Sequence, residues 1–360
     1  MPPALLEVVL SFEGFPFIVG WELTLACNLR CRHCASSAGA PRARELSCAE
    51  ALALCEQFPE LLVNEVIFTG GEPLLCPYWS DLAARLRDLD IKTGVVTNGL
   101  PVAEETVATM LRTGLTAAGV SLDGFESQHD RIRGVEGAFR RAVRGIELMV
   151  SRGIEVTVIT SVTAVNLPQL GEICELVLSL GAAKWQIQPL FPLGRGRADE
   201  SLRLTDGEFL EMGRLLWTLR DPAAARGLRI HPADSCGYFS PFDYPEMQWS
   251  GCLAGRSSIG IMSDGRVKGC LSWPDSTVVG DLREKDLWSI WFQPEAFALK
   301  SIPVHLQGHW IIFGENNCPD SVHLITRSGA QFDNPNGSSS HASANDYATR
   351  FASTAHAKLS

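Results

Sequence analysis

Between residues 63 and 189 short apolar runs alternate with longer amphipathic stretches. The runs Val63–Thr69, Lys92–Thr97, Thr116–Leu122, Glu155–Ser161 and Lys184–Pro189 have strand length and composition. Between them, Trp79–Leu89, Glu104–Thr113, Val135–Ser151 and Leu167–Leu180 carry apolar residues at helical spacing, and a further helix is predicted at Asp206–Leu219 behind Thr205 as its cap. An earlier run, Phe17–Leu25, reads as a strand, and Ser47 with Glu50 three residues on predicts a capped helix start. Counting from that first strand gives six strand–helix units. Such alternation implies an α/β fold with a parallel sheet and right-handed crossovers, two units short of a closed eight-fold barrel. After Arg226 the pattern breaks into short strands and loops. Asp264-Gly265 between Ile259–Met262 and Arg266–Lys268 predicts a hairpin, and Leu287–Phe292 a short helix. From about Asn334 the chain is rich in Gly, Ser, Ala and Asn, and disorder is expected.

Composition narrows the partners. With 360 residues and 46% hydrophobic content the chain is long enough for two domains. A formal net charge of −10 argues against a nucleic-acid backbone, and no apolar run reaches the roughly 18 residues of a membrane span. The start Met-Pro-Pro-Ala-Leu-Leu-Glu lacks the basic region and cleavage site of a signal peptide. Eleven cysteines, an odd number without an export signal, favour reduced thiols and a cytoplasmic setting. Cys48, Cys55, Cys76 and Cys174 stand singly and read as small buried hydrophobes. A small molecule or a peptide is left as partner.

Directly after the first strand comes Cys27-Asn28-Leu29-Arg30-Cys31-Arg32-His33-Cys34. Convergent thiolates form a soft pocket that suits an iron–sulfur cluster or zinc, and three of them leave one metal position open for a ligand. The alternatives are a zinc knuckle with its fourth ligand elsewhere, or three surface thiols. The later strands end in their own signals. Thr69-Gly70-Gly71-Glu72-Pro73 combines two glycines, which permit close backbone approach, with a carboxylate for a charged amine; it also reads as a turn before a helix. Thr97-Asn98-Gly99 is equally a pocket lining or an ordinary turn. In Ser121-Leu122-Asp123-Gly124 the hydroxyl and carboxylate share one strand face, which suits two ribose hydroxyls, or else mark an Asp-Gly turn. His129-Asp130-Arg131-Ile132-Arg133-Gly134 follows, and Gln186 and Gln188 end the sixth strand.

The three-cysteine spacing, the strand before it, His33 at the often aromatic place before the third cysteine and the Gly-Gly-Glu-Pro tetrad resemble the radical S-adenosylmethionine (SAM) superfamily. The resemblance implies a partial (β/α)6 TIM-like barrel and a 4Fe–4S cluster on Cys27, Cys31 and Cys34. The open iron is then chelated by SAM, whose reductive cleavage yields a 5′-deoxyadenosyl radical. It further implies that Gly70, Gly71, Glu72 and Pro73 form the site of the SAM amino group, that Asn98 lines the pocket, that Ser121 and Asp123 lie at the ribose, and that Arg133 meets the SAM carboxylate. An electron donor such as flavodoxin or ferredoxin is implied as partner.

Cys252, Gly265 and Cys270 resemble the opening of a SPASM or twitch domain, which carries auxiliary iron–sulfur clusters. The closing half departs from that pattern. His309, Ile312, Cys318 and Val322 stand where four cysteines are expected, and Gly337 where a last one would be. A second auxiliary cluster therefore lacks ligands, whereas one cluster on Cys236, Cys252, Cys270 and Cys318 has the four thiolates it needs. Leftover or zinc-binding thiols, and a reading-frame disruption near the C-terminus, are the competing explanations. The expected division is an approach segment at 1–16, the core at 17–226, a degenerate SPASM-type region at 227–333 and a tail at 334–360. The expected activity is radical chemistry on a peptide or protein undergoing maturation, with a tetrapyrrole or other cofactor precursor as the alternative substrate. A catalytically silent, metal-stabilised binding module is the alternative of another class.

Overall fold

A computed structural model describes residues 15–190, 193–233 and 253–293, together with three short strands between residues 310 and 332. Six strands follow one another in space as in sequence, each parallel to the next: β1 (Ile18–Thr24), β2 (Glu65–Gly70), β3 (Lys92–Thr97), β4 (Ala117–Ser121), β5 (Glu155–Val162) and β6 (Lys184–Pro189). The helices between and after them are α1 (Cys48–Cys55), α2 (Trp79–Asp88), α3 (Glu104–Arg112), α4 (Glu126–Arg133), α5 (Ala138–Ser151), α6 (Leu170–Ser179) and α7 (Asp206–Ala225). The expected start of α1 is present as a full capping box: Ser47 Oγ accepts from the Glu50 amide at 3.3 Å and the Glu50 carboxylate accepts from the Ser47 amide at 2.8 Å.

Because side chains alternate across a strand, the sheet has two unlike faces. Val66, Phe68, Val120, Val158, Trp185 and Ile187 are buried in one core with Leu82, Leu86, Met110, Ile146 and Ile173 of the helices. The opposite row, with Thr69, Val96, Gly119, Ser121, Ser161, Gln186 and Gln188, is only half-buried and faces away from the helices. Of the four lone cysteines expected to be buried, Cys55, Cys76 and Cys174 are, and burial pushes the Cys55 thiol up to about 12; Cys48, at the first position of α1, is only half-buried.

Three features depart from the sequence reading. The segment 126–133 is a helix, α4, which ends at Gly134 in the left-handed conformation with φ 75°; too short to show a clear period, it is visible only through this glycine stop. Helix α7 runs to Ala225 through Pro222 rather than stopping at Leu219, because Met212, Leu216 and Ala223 anchor it in the core on both sides of the proline. A seventh parallel strand, β7 (Arg229–Pro232), continues the sheet beside β6.

The predicted hairpin forms as β8 (Ser258–Ile261) and β9 (Arg266–Lys268), with β10 (Gly280–Asp281) added to β9 and α8 (Leu287–Phe292) after it. It does not stand apart. β8 pairs in parallel with β1, Gly20 opposite Gly260, so the sheet runs β10-β9-β8-β1-β2-β3-β4-β5-β6-β7 and stays open, with β10 and β7 as its edges. A Cβ on Gly260 would stand 2.8 Å from the Leu271 amide nitrogen and 3.0 Å from the Cys270 carbonyl carbon, so only glycine lets the turn after β9 lie on this strand. At the other end of the hairpin Ser263 donates from its amide and hydroxyl to Glu22 at 3.1 and 2.8 Å, while Glu22 pairs with Arg42 at 2.7 Å.

A second unit begins at Trp310, and its described residues are β11 (Trp310–Phe313), β12 (Val322–Ile325) and β13 (Gln331–Phe332), which pair antiparallel. Ile312 and Val322 thus lie on paired strands. Cys236, Cys252, Cys318, His309, Gly337, residues 1–14 of the approach segment and the 334–360 tail lie outside the described residues. Among the described residues no helix is long and apolar enough to cross a membrane.

Candidate active site

The parallel order brings the ends of β1 to β4 to one edge, where the cysteine loop, the Gly-Gly-Glu-Pro turn, Asn98 and Asp123 meet. The loop is folded on itself by backbone bonds from Cys27 to Gly39 O (3.2 Å), Gly39 to Leu25 O (2.9 Å) and Cys34 to Cys31 O (3.3 Å). It is docked on the end of β2 by the amides of Gly71 and Glu72, which donate to Thr24 O and Ala26 O, each at 2.8 Å. That docking explains the two glycines. A Cβ at Gly70, whose φ is +132°, would lie 2.3 Å from Thr24 O, and one at Gly71 would lie 2.2 Å from Ala26 O. Pro73 opens a single 3-10 turn, Pro73–Leu75.

Two enclosed carboxylates organise the site. Glu72, with no exposed surface, accepts from the Thr97 hydroxyl and the Asn98 amide, both at 2.8 Å, and from the Leu74 amide at 3.3 Å. Burial pushes its pKa up to about 7 against those hydrogen bonds. Asn98 passes the contact on: its Nδ2 donates to Asn28 Oδ1 at 2.7 Å and lies 3.9 Å from Cys27 Sγ. Asp123 is equally enclosed. Its Oδ2 accepts from His33 Nε2 at 2.9 Å and Arg133 Nε at 2.7 Å, and its Oδ1 from the Ser161 amide at 2.9 Å. Burial alone would raise this carboxyl; Arg133 and His33 overcome it and hold it well below the carboxylate range. Arg133 Nη1 in turn lies 3.9 Å from Cys31 Sγ. His129 accepts the Asp123 amide on Nδ1 at 3.1 Å, and burial together with Arg133 lowers its pKa to about 4, so it is neutral at pH 7.

In this arrangement Glu72 and Asp123 meet protein partners on every side, and Arg133 is 8% exposed. Ser121 is half-buried at the end of β4, on the open face with Gln186 and Gln188. His33 keeps an enclosed Nδ1 with no hydrogen-bond partner, a polar atom aimed at nothing in the protein. His33, Thr97 and His129 are members of the site that sequence reasoning did not assign. His33 stands just before the third cysteine, Thr97 in the Thr97-Asn98-Gly99 strand end and His129 at the head of the 129–134 segment, but no role for any of them was visible in the chain. Of the hairpin ligand candidates Cys270 alone is described: it is half-buried, and its Sγ accepts from the Ser272 amide at 3.4 Å.

The donor set suits an iron–sulfur cluster. Burial raises the pKa of Cys27 and of Cys31, and the neighbouring thiols add to the rise; ligation to iron would remove that penalty and release the thiol protons. The N–H groups of Asn98 and Arg133 point at two of the three sulfurs, the kind of contact that tunes cluster potential. Among the described residues no three His, Cys, Asp or Glu side chains form a group for a single metal ion.

Comparison with known proteins gives the same reading. The family model described as the radical SAM superfamily matches residues 21–177, and the one described as SPASM, an iron–sulfur cluster-binding domain, matches residues 252–310. An AdoMet-dependent heme synthase of Oleidesulfovibrio alaskensis is 30% identical over 81% of this chain and 78% of its own length. Mycofactocin maturase MftC of Mycobacterium ulcerans is 32% identical over 78% of this chain and 71% of its own. In fold the chain is similar to Streptococcus suis SuiB, solved bound to S-adenosylmethionine, with a TM-score of 0.68, 19% identity, and coverage of 83% of this chain and 70% of SuiB.

Proposed function

This chain belongs to the radical SAM superfamily, in the group with a SPASM domain, and from that premise we propose that it removes hydrogen from a tetrapyrrole precursor. It is an S-adenosylmethionine-dependent enzyme, and its cofactors are a 4Fe–4S cluster and SAM. When bound, the two supply one-electron cleavage of a sulfonium and a carbon radical able to take a hydrogen atom from substrate.

In this reading Cys27, Cys31 and Cys34 are the cluster ligands, and Asn98 and Arg133 tune it through their contacts with sulfur. The amides of Gly71 and Glu72 are taken by the cysteine loop, so the Gly-Gly turn offers a ligand acceptor oxygens, the type an ammonium needs. Ser121, half-exposed, is the ribose contact. Glu72 and Asp123 act from behind: they hold Asn98, His33 and Arg133 in place. Cys252 and Cys270, with Cys236 and Cys318, are the candidates for an auxiliary cluster in the region after residue 226. A flavodoxin or ferredoxin is the proposed electron donor.

The observation that moves the substrate from peptide to tetrapyrrole is the heme synthase likeness, which spans more of both chains than the maturase likeness does. The half-buried polar row Ser161, Gln186 and Gln188 would meet the carboxylate-bearing edge of such a ring. Peptide maturation is the second reading, favoured by the maturase relative. The test is anaerobic incubation of reconstituted, reduced protein with SAM and iron coproporphyrin. Formation of 5′-deoxyadenosine with a matching mass change in the porphyrin is expected. SAM cleavage with an unchanged porphyrin would overturn the tetrapyrrole reading; no cleavage at all would overturn the radical one.

A further inference from the structure

The segment after β6 folds back over the cysteine loop. Arg195 donates from its backbone amide to Cys34 O at 3.0 Å, from Nε to Cys31 O at 2.8 Å and from Nη1 to Ala38 O at 2.8 Å. Gly194, at φ +52°, makes that approach feasible: a Cβ there would stand 2.2 Å from Ala35 O and 2.5 Å from Cys34 O. A few residues on, Asp199 and Ser201 hold Arg32 at 2.6 and 3.2 Å. One downstream segment thus grips residues 31, 32, 34 and 38 of the loop, and two of the carbonyls it holds belong to cysteines assigned above to the cluster. Neither the spacing of the cysteines nor the later motifs point to this arginine.

We propose that Arg195 is a positioning residue of the core cluster. By fixing the Cys31 and Cys34 carbonyls it sets where those two thiolates point, and its guanidinium places a permanent positive charge beside an anionic centre. Guanidinium geometry matters here, because one planar fork reaches Cys31 O and Ala38 O together, which the point charge of a lysine cannot do. The added charge favours the reduced cluster, since net charge and hydrogen bonding set the potential of such centres. This proposal rests on the reading of Cys27, Cys31 and Cys34 as ligands.

The test uses full-length, anaerobically reconstituted wild type, Arg195→Ala and Arg195→Lys. Three quantities are measured: iron release to a chelator, the EPR spectrum of the reduced cluster with and without SAM, and the midpoint potential. The signal that changes on adding SAM identifies the core cluster. For Arg195→Ala, iron release about tenfold faster is expected, the effect of losing two hydrogen bonds from a charged donor to the loop carbonyls, with an altered spectrum and a more negative potential. Arg195→Lys should recover the potential in part while still losing iron faster than wild type. Variants with wild-type release, spectrum and potential would overturn the proposal. So would variants with only a lower melting temperature, since that is a merely structural role. If Arg195→Ala does not fold, Arg195→Lys decides on the same readouts. Wild-type protein that takes up no core iron overturns the cluster reading and this proposal with it; a wild-type cluster indifferent to Arg195 overturns this proposal alone.

Discussion

At the C-terminal end of β1 three cysteines sit in a loop held by β2, β3, α4 and the segment after β6, with polar groups directed at two of the sulfurs. Beside the middle of the same strand, Cys270 follows β9, and the Leu271 side chain lies 3.6 Å from where a Cβ on Gly20 would be. There the support is steric: two glycines in register, a local amide bond to the sulfur, and the buried Lys268 donating to Trp273 O at 2.6 Å. From Gly20 to Thr24 the strand covers about 13 Å at its usual rise. The contrast teaches that thiols beside one strand are held in two ways, Cys27 and Cys31 among charged and hydrogen-bonding groups and Cys270 by the room two glycines leave.

The largest effect should come from removing the first site. With Cys27, Cys31 and Cys34 all changed to alanine, formation of 5′-deoxyadenosine is expected to vanish. About four irons should stay with the protein, as one cubane at the second site requires; an iron count of zero would leave the hairpin region as a binding surface only. Asp123→Asn comes next. It leaves Arg133 enclosed without its counter-charge, and breaking a buried pair costs about 3–5 kcal/mol, to be read as a lower denaturation midpoint together with weakened SAM cleavage. Unchanged stability would mean the pair is not needed to hold the loop.

Gly260→Ala addresses the second site alone. Crowding the turn at Cys270 is expected to cost about 1–3 kcal/mol and to lower auxiliary iron while the SAM-responsive signal stays as it was. Equal loss from both sites would show that the hairpin and the core loop are coupled, with the Glu22–Ser263–Arg42 contacts as the physical link. The smallest effect is one of pH. His129 has its pKa lowered to about 4 on folding, so the unfolded chain binds a proton first and stability falls as pH drops from 6.5 toward 4. Glu72, raised to about 7, has the opposite sign: its contribution is present at low pH and is lost as pH rises from 4.5 through 7. His129→Asn should therefore lose less stability than wild type between pH 6.5 and 4, by some fraction of the roughly 3 kcal/mol that such a shift allows. Parallel melting curves for the two proteins would remove His129 from the argument.

Much of the molecule was legible in the chain. Strand and helix periods located six parallel strands within a residue or two, and Ser47 with Glu50 marked the start of α1, because both signals depend on neighbours in sequence. The cysteine spacing and Gly-Gly-Glu-Pro likewise announced the chemistry, since those residue types crowd one loop and one turn. What the chain concealed were partners far apart in sequence. Nothing near Gly70 says that its missing side chain makes room for Thr24 O rather than for a ligand. Nothing near Asp123 says that His33, Arg133 and Ser161 will enclose it. The hairpin's own pattern cannot tell that its first strand will extend the core sheet beside β1, and the Gly-Arg pair at 194–195 reads as a loop until β6 delivers it to the cysteines. Local propensity and ligand chemistry are properties of short stretches, so the sequence by itself determined the fold class and the three thiols. Which groups bury, pair and orient those thiols depends on contacts between strand ends that only the folded sheet brings within hydrogen-bond reach.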